Sequence, residues 1–136
     1  MERNILSDEN NPVISFENYY ISEMQFRKIK KDDEINKFKI DIGIDESKKF
    51  VKLKVSISTE INLIEVEIIG EFKFANEISE KDRIKFLKIN GAAILYPYIR
   101  AYISNISSFD KEASAIIIPT VNFQKIYEND EESDRN

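Results

Sequence analysis

The 136-residue sequence contains no cysteine and no histidine. Their absence excludes disulfides, thiol catalysis, zinc sites of the usual ligand types and histidine-based triads. Glycine is scarce as well: Gly43, Gly70 and Gly91 stand too far apart to build a phosphate-cradling loop. No positively charged stretch leads into an apolar one at the N-terminus, so no signal peptide is expected. The longest nearly uninterrupted apolar run, Gly91 to Ile99, is half the length needed to span a bilayer, and no direct membrane insertion is expected. Lack of cysteine is compatible with the cytoplasm, the location expected here.

What is present describes one globular domain. Hydrophobic residues make up 42% and charged residues 33%, too apolar for a disordered chain and too charged for a membrane one. The net charge of -5 is unevenly placed: residues 128–136 carry -4 and residues 1–10 carry -2, leaving 11–127 at +1. A nearly neutral body has no positive field with which to hold nucleic acid, so no nucleic-acid partner is expected. Residues 1–15, polar and interrupted by Pro12, read as a flexible lead, and 128–136 as a disordered acidic tail.

Between these ends the residues alternate. A first strand over Tyr19 to Ile29 has imperfect alternation, and the charged connection that follows lacks the spacing and glycine of a calcium loop. Phe38, Ile40, Ile42 and Ile44 then alternate with Lys37, Lys39, Asp41 and Gly43. Val51, Leu53, Val55 and Ile57 do the same against Lys52, Lys54, Ser56 and Ser58. Ile64, Val66, Ile68, Phe72 and Phe74 oppose Glu65, Glu67, Glu71 and Lys73. A period of two with one oily and one wet face specifies an antiparallel sheet covered on one side. Ile69 interrupts the wet face beside Gly70, read as the mark of a bulge.

The period then changes. Ser79 to Asp82 has the form of a capping box, and Ile84, Leu87, Leu95, Ile99, Tyr102, Ile103 and Ile106 recur at helical spacing. Asn90-Gly91 and Pro97 predict two helices or one with a defect. From Ala92 to Ile106 the helix is apolar around much of its circumference, more than one sheet face covers in a small chain, which implies another subunit. After a polar loop, Thr120 or Asn122 caps a short final helix with Phe123, Ile126 and Tyr127. No nucleophile is paired with a base, and Glu65, Glu67 and Glu71 lie on a solvated face, so no catalytic residue, no metal site and no cofactor is expected. The residues read as a binding or scaffold protein, not an enzyme.

Two motifs carry a resemblance. Ile94-Leu95-Tyr96-Pro97-Tyr98 with Arg100, followed after a loop by Pro119, Val121-Asn122-Phe123 and Ile126-Tyr127, resembles the SecB protein-export chaperone family. The upstream YISEMQFRK and LIEVEIIGEFKF match more loosely, extending the similarity over residues 16–127. The resemblance implies an α+β fold, a four-stranded antiparallel sheet with helices packed on one face, assembled as a homotetramer, a dimer of dimers. It implies an ATP-independent holdase that keeps unfolded preproteins competent for export and passes them to SecA. Glu23, Leu63 and Glu65 correspond to the family's SecA-docking positions, whereas Arg27 reverses the sign of another. Leu95, Tyr98, Ile99, Tyr102, Ile103 and Ile106 are the candidates for the oligomer interface. Phe72, Phe74, Phe123, Ile126 and Tyr127 are the candidates for the client groove. A SecB-like chaperone dedicated to one client, such as an antitoxin, and a small-molecule-binding α+β domain are the alternatives.

Overall fold

The computed structural model describes residues 4–8, 11–75, 77–109 and 114–135. Its strands are β1 (Asn4–Asp8), β2 (Asn11–Lys28), β3 (Lys37–Ile44), β4 (Phe50–Ser58) and β5 (Asn62–Phe74). They pair antiparallel in the order β1-β2-β5-β4-β3. The four long strands are the sheet that alternation specified, and β1 adds a short fifth at the edge of β2. Residues 4–8 and 11–15 are therefore strand, not a flexible lead, because β1 turns back to hydrogen-bond with the start of β2. The first strand begins at Asn11, ahead of Tyr19, and two register shifts, between Phe16 and Asn18 and between Ile21 and Glu23, scramble the alternation that would mark its length. Each shift inserts a residue on β2 and moves later side chains to the opposite face.

Register aligns the oily residues into rows across the sheet. Tyr19, Gly70, Val51 and Ile44 form one row; Ile21, Ile68, Leu53 and Ile42 the next; then Met24, Val66, Val55 and Ile40; then Phe26, Ile64, Ile57 and Phe38. The β3–β4 turn is pinned by Asp45, whose carboxylate accepts from the backbone N–H of Ser47 (3.1 Å), Lys49 (3.0 Å) and Phe50 (2.8 Å).

Helices cover the oily face. Ser79 caps α1 (Glu80–Phe86) by accepting from the Asp82 N–H at 3.1 Å, as its capping-box pattern requires. A π-helical segment (Leu87–Gly91) joins α1 to α2 (Ala92–Ser107) without a break. Gly91 is thus no helix stop; a Cβ there would lie 2.9 Å from Val51 Cγ2, so the glycine lets the helix touch the sheet. Pro97 sits inside α2 on its exposed side. Gly70 marks no bulge in β5: a Cβ there would lie 2.6 Å from Leu95 Cδ2 and 3.1 Å from Phe72 Cε2. The two glycines, one on the sheet and one on the helix, set the close approach of these layers.

Leu95, Ile99 and Ile103 have no exposed surface and pack on Val51, Leu53, Ile64, Val66 and Ile68 in the chain's own core. This corrects their reading as interface residues. The chain's own segment 114–122, where Ile118 is buried, covers part of the remaining surface of α2, leaving Ala93, Pro97 and Ala101 exposed and Tyr98, Tyr102 and Ile106 half-buried. Ser107 fixes that segment's start, accepting from the Ile116 N–H at 2.6 Å and donating to the Ser104 carbonyl at 3.1 Å. Tyr96 fixes its end by donating to the Pro119 carbonyl. Asn122, not Thr120, then caps α3 (Phe123–Arg135), its side chain accepting from the Lys125 N–H at 3.1 Å. The acidic stretch read as a disordered tail is helical through Arg135, with a Gln124–Glu128 side-chain hydrogen bond of 3.0 Å at i,i+4 spacing.

Candidate functional site

Coverage of the oily face is incomplete, and the shortfall lies at its two margins. In the outermost row the central Ile64 is fully buried, whereas Phe26 on β2 is 37% exposed and Phe38 on β3 is 36% exposed. Met24 in the next row is 44% exposed, and Ile35, just before β3, is 43% exposed. Met24, Phe26 and Phe38 are large side chains on the core-facing side of the sheet that keep more than a third of their surface exposed. Helix α2 runs over the central strands and leaves a strip on either side. On the β2 side the strip continues into an aromatic wall: Tyr19 stacks on Tyr98 at 4.4 Å between ring centroids, and its hydroxyl lies 3.3 Å from that of Tyr102. Phe16 links the wall to the core, 5.2 Å from Phe72. Apolar strips beside tyrosine hydroxyls provide adhesive area and orienting hydrogen bonds, without a reactive group.

A separate cleft of about 520 Å³ lies on the outer side of α2. Its floor is Ala93, Pro97, Arg100 and Ala101, and its far wall is Ile117, Val121 and Phe123. Ile117 is 73% exposed, and Phe123 meets Tyr96 edge-on at 5.5 Å. Burial pushes the Tyr96 hydroxyl above its usual pKa, while the positive charge of Arg100 pulls the other way.

The wet face gathers the three docking candidates on the adjacent strands β2 and β5. Leu63 stands directly across from Arg27, Glu65 one row further and Glu23 beyond it. The two carboxylates share one cation: Lys54 Nζ lies 3.6 Å from Glu23 and 3.9 Å from Glu65. Ser56 donates to Glu65 at 3.3 Å. Arg27 donates two hydrogen bonds to Asp33, at 2.6 and 3.0 Å, and Asp33 also accepts from the Lys30 N–H at 2.7 Å. The Arg27 bonds first, then the Lys30 N–H, hold the Asp33 carboxyl at about 2. One lysine thus stands between two carboxylates, which lowers the acidity of this face without cancelling it.

Of the residues read as a client groove, Phe72 is buried in the core at 1% exposure and offers no surface. Phe123 is almost as deep. Phe74, beneath the Arg83 guanidinium at 5.0 Å, and Ile126 and Tyr127 on α3 are half-buried. Tyr98, Tyr102 and Ile106 of α2 retain part of their surface. Met24, Phe26 and Ile117 were not singled out as site residues from the sequence. The bulges of β2 hid the first two, and a single Ile in an apolar run gives no sign that it points outward. Among the described residues no group of acidic side chains is arranged to hold a metal ion.

Comparison with known proteins agrees with this architecture. Residues 7–134 match the family described as SecB, preprotein translocase subunit SecB. An uncharacterized protein of Methanocaldococcus jannaschii, MJ0357, is 28% identical over 134 residues, spanning 88% of this chain and 85% of that protein. The structure of Mycobacterium tuberculosis Rv1957, a SecB-like chaperone in complex with a ChAD peptide from the Rv1956 HigA1 antitoxin, superposes with a TM-score of 0.58. Identity there is 12%, over 80% of this chain and 90% of that one. A Streptococcus agalactiae protein of unknown function superposes with a TM-score of 0.56 at 13% identity, over 81% of this chain and 99% of that one. At such identities the likeness is one of fold.

Proposed function

The chain belongs to the SecB family, and from that premise we propose that it is an ATP-independent cytoplasmic holdase that binds unfolded protein segments along the apolar margins of its sheet. The observation that carries the reading is the uncovered part of the core-facing rows: Phe26, Met24 and Phe38, each more than a third exposed. An unfolded segment laid along such a strip buries its apolar side chains and hydrogen-bonds its backbone, which needs area and no chemistry. No helix among the described residues is long and apolar enough to cross a membrane, in keeping with a partner that meets its clients in solution. The working unit of this reading is a homo-oligomer, in which Tyr98, Tyr102 and Ile106 are the α2 residues still available to a second subunit.

The test is suppression of aggregation. The protein at stoichiometric amounts should keep two unrelated, chemically unfolded proteins from scattering light, and Phe26→Asp with Met24→Asp should lose most of that effect while melting near the parent temperature. Failure of the parent to protect either protein would refute the reading.

A second reading, a chaperone dedicated to one client, draws on two observations. Rv1957 carries an antitoxin peptide. In this chain Lys54 lies 3.6 and 3.9 Å from Glu23 and Glu65, and Arg27 stands where the family has an acid, so the electrostatic attraction of that face for SecA is weakened. A chaperone for exported preproteins in general protects many clients and binds SecA; a dedicated one protects a single partner. Titration of SecA separates them, and Glu65→Lys should abolish any binding that passes through this face.

A further inference from the structure

One row of the wet face departs from its charged pattern. Tyr20, Ile69, Lys52 and Gly43 stand side by side across β2, β5, β4 and β3. Ile69 is the residue that interrupts the wet alternation, and Tyr20, directly opposite it, is 53% exposed. Phe50, on the diagonal from Ile69, adds a half-buried ring to the same patch. The next row, Asp41, Lys54, Glu67 and Glu23, is charged throughout. Two observations point to an occupant. Gly43 has no positive φ, and a Cβ there would meet only Lys52 Cβ, at the ordinary contact distance of 3.8 Å. Nothing in the fold requires a glycine at this position, where it weakens the strand, and the gap it leaves lets another backbone approach closely. Lys52 is exposed and makes no ion pair among the described residues, whereas Lys54, two residues on, serves both Glu23 and Glu65.

We propose that this row is a docking site for a short segment of a partner protein that carries an apolar side chain next to a single carboxylate. The apolar side chain covers Ile69 between Tyr20 and Phe50, the carboxylate meets the Lys52 ammonium, and the backbone passes over Gly43. The acids of the neighbouring row repel further negative charge, so the occupant carries one acid and not a run of them. An anionic lipid surface is a poorer occupant for the same reason, because it sets charge against both rows at once. The row lies on the opposite side of the sheet from the apolar margins at Met24, Phe26 and Phe38, so the inference stands apart from the holdase reading. It also differs from the docking candidates Glu23, Leu63 and Glu65, since its free charge is positive.

The experiment uses the full chain and three fluorescent peptides with Ser–Gly flanks, in which a Phe-Leu pair is followed by one Glu, by one Gln, or by a run of Glu. Fluorescence anisotropy should show the single-Glu peptide binding about fivefold more tightly than the Gln peptide, the effect of one exposed ion pair, and more tightly than the Glu run. Lys52→Gln should erase the difference between Glu and Gln. Gly43→Gln, which fills the gap without touching the core, and Ile69→Ser should each weaken all three peptides at unchanged circular dichroism and assembly mass. The preference for Glu should persist in Phe26→Asp/Met24→Asp, and an excess of unfolded protein should not displace the single-Glu peptide.

Equal binding of the Glu and Gln peptides, a preference that survives Lys52→Gln, or unchanged binding by Gly43→Gln would overturn the assignment. Displacement by unfolded protein would overturn it as well, because the peptide would then sit in the client strip. Sedimentation of the chain with phosphatidylserine vesicles, abolished by Lys52→Gln, would give the row to a membrane instead. Unfolding or a change of assembly mass in Gly43→Gln would show that the fold or the assembly needs this glycine, and would remove the ground of the argument. If the parent protects unfolded proteins but binds the peptides without regard to charge, this inference fails alone. If it prefers the Glu peptide but protects nothing, the holdase reading fails alone.

Discussion

Gly70 and Leu95 should behave as one unit in a double-mutant cycle. Leu95 is fully buried, and its Cδ2 would lie 2.6 Å from a Cβ built on Gly70. Leu95→Ala removes that methyl and leaves a cavity between α2 and β5, costing about 2–5 kcal/mol. Gly70→Ala forces Leu95 and Phe72 aside in a packed core and should cost about 1–3 kcal/mol. In the double variant the new methyl occupies the space that Leu95 vacated, so the sum should fall short of additivity by roughly 1–2 kcal/mol. Urea unfolding followed by circular dichroism reads each corner of the cycle, and unchanged slopes would show that only stability moved. Additive costs, within about 0.5 kcal/mol, would mean that the two side chains do not meet and that the helix is placed wrongly on the sheet. Light scattering on Leu95→Ala adds a second check. An assembly that splits at an unchanged urea midpoint would return Leu95 to an interface between subunits.

Other consequences are as direct. Burial pushes the Asp45 carboxyl up, but its hydrogen bonds to Ser47, Phe50 and Lys49 outweigh this and hold it at about 2, below the ordinary 3.8. A depressed folded-state pKa adds stability above the ordinary value that is lost as pH falls through the folded one. Thermal stability should therefore drop between about pH 4 and about pH 2, and Asp45→Asn should flatten part of that drop. Ser107→Ala strands the Ile116 N–H and should cost about 1–3 kcal/mol, with faster hydrogen exchange at Ile116 and its neighbours. Lys54→Ala removes two long, partly solvated ion pairs, at 3.6 and 3.9 Å, and should change stability by less than about 1 kcal/mol.

The strands with strict alternation were legible because each side chain's face follows from its parity. That is why Val51 to Ile57 and Ile64 to Phe74 fall where a period of two puts them. β2 was legible only in its middle, since two inserted residues break parity and place Met24 and Phe26 on the oily face out of step with Ile21. The glycines were misread for a related reason. A sequence shows that a Cβ is missing but not what stands where it would be, and both Gly70 and Gly91 answer to the opposite layer. Part of the apolar girth of α2 is covered by segment 114–122, which lies outside any regular helix or strand and so leaves no periodic trace in the sequence. The wet-face candidates emerged together on one surface, yet the sharing of Lys54 by Glu23 and Glu65 depends on spacings between strands that no linear pattern contains.

The most direct test of the central claim is the binding of one unfolded protein, labelled with a fluorophore, to the parent chain and to Phe26→Asp/Met24→Asp. Both positions are surface-exposed at the margin of the sheet, so the variant should keep the parent's circular dichroism and assembly mass. The parent should bind and the variant should lose at least about tenfold in affinity, from two apolar contacts removed and two charges placed in the strip. Equal binding by a folded variant would contradict it.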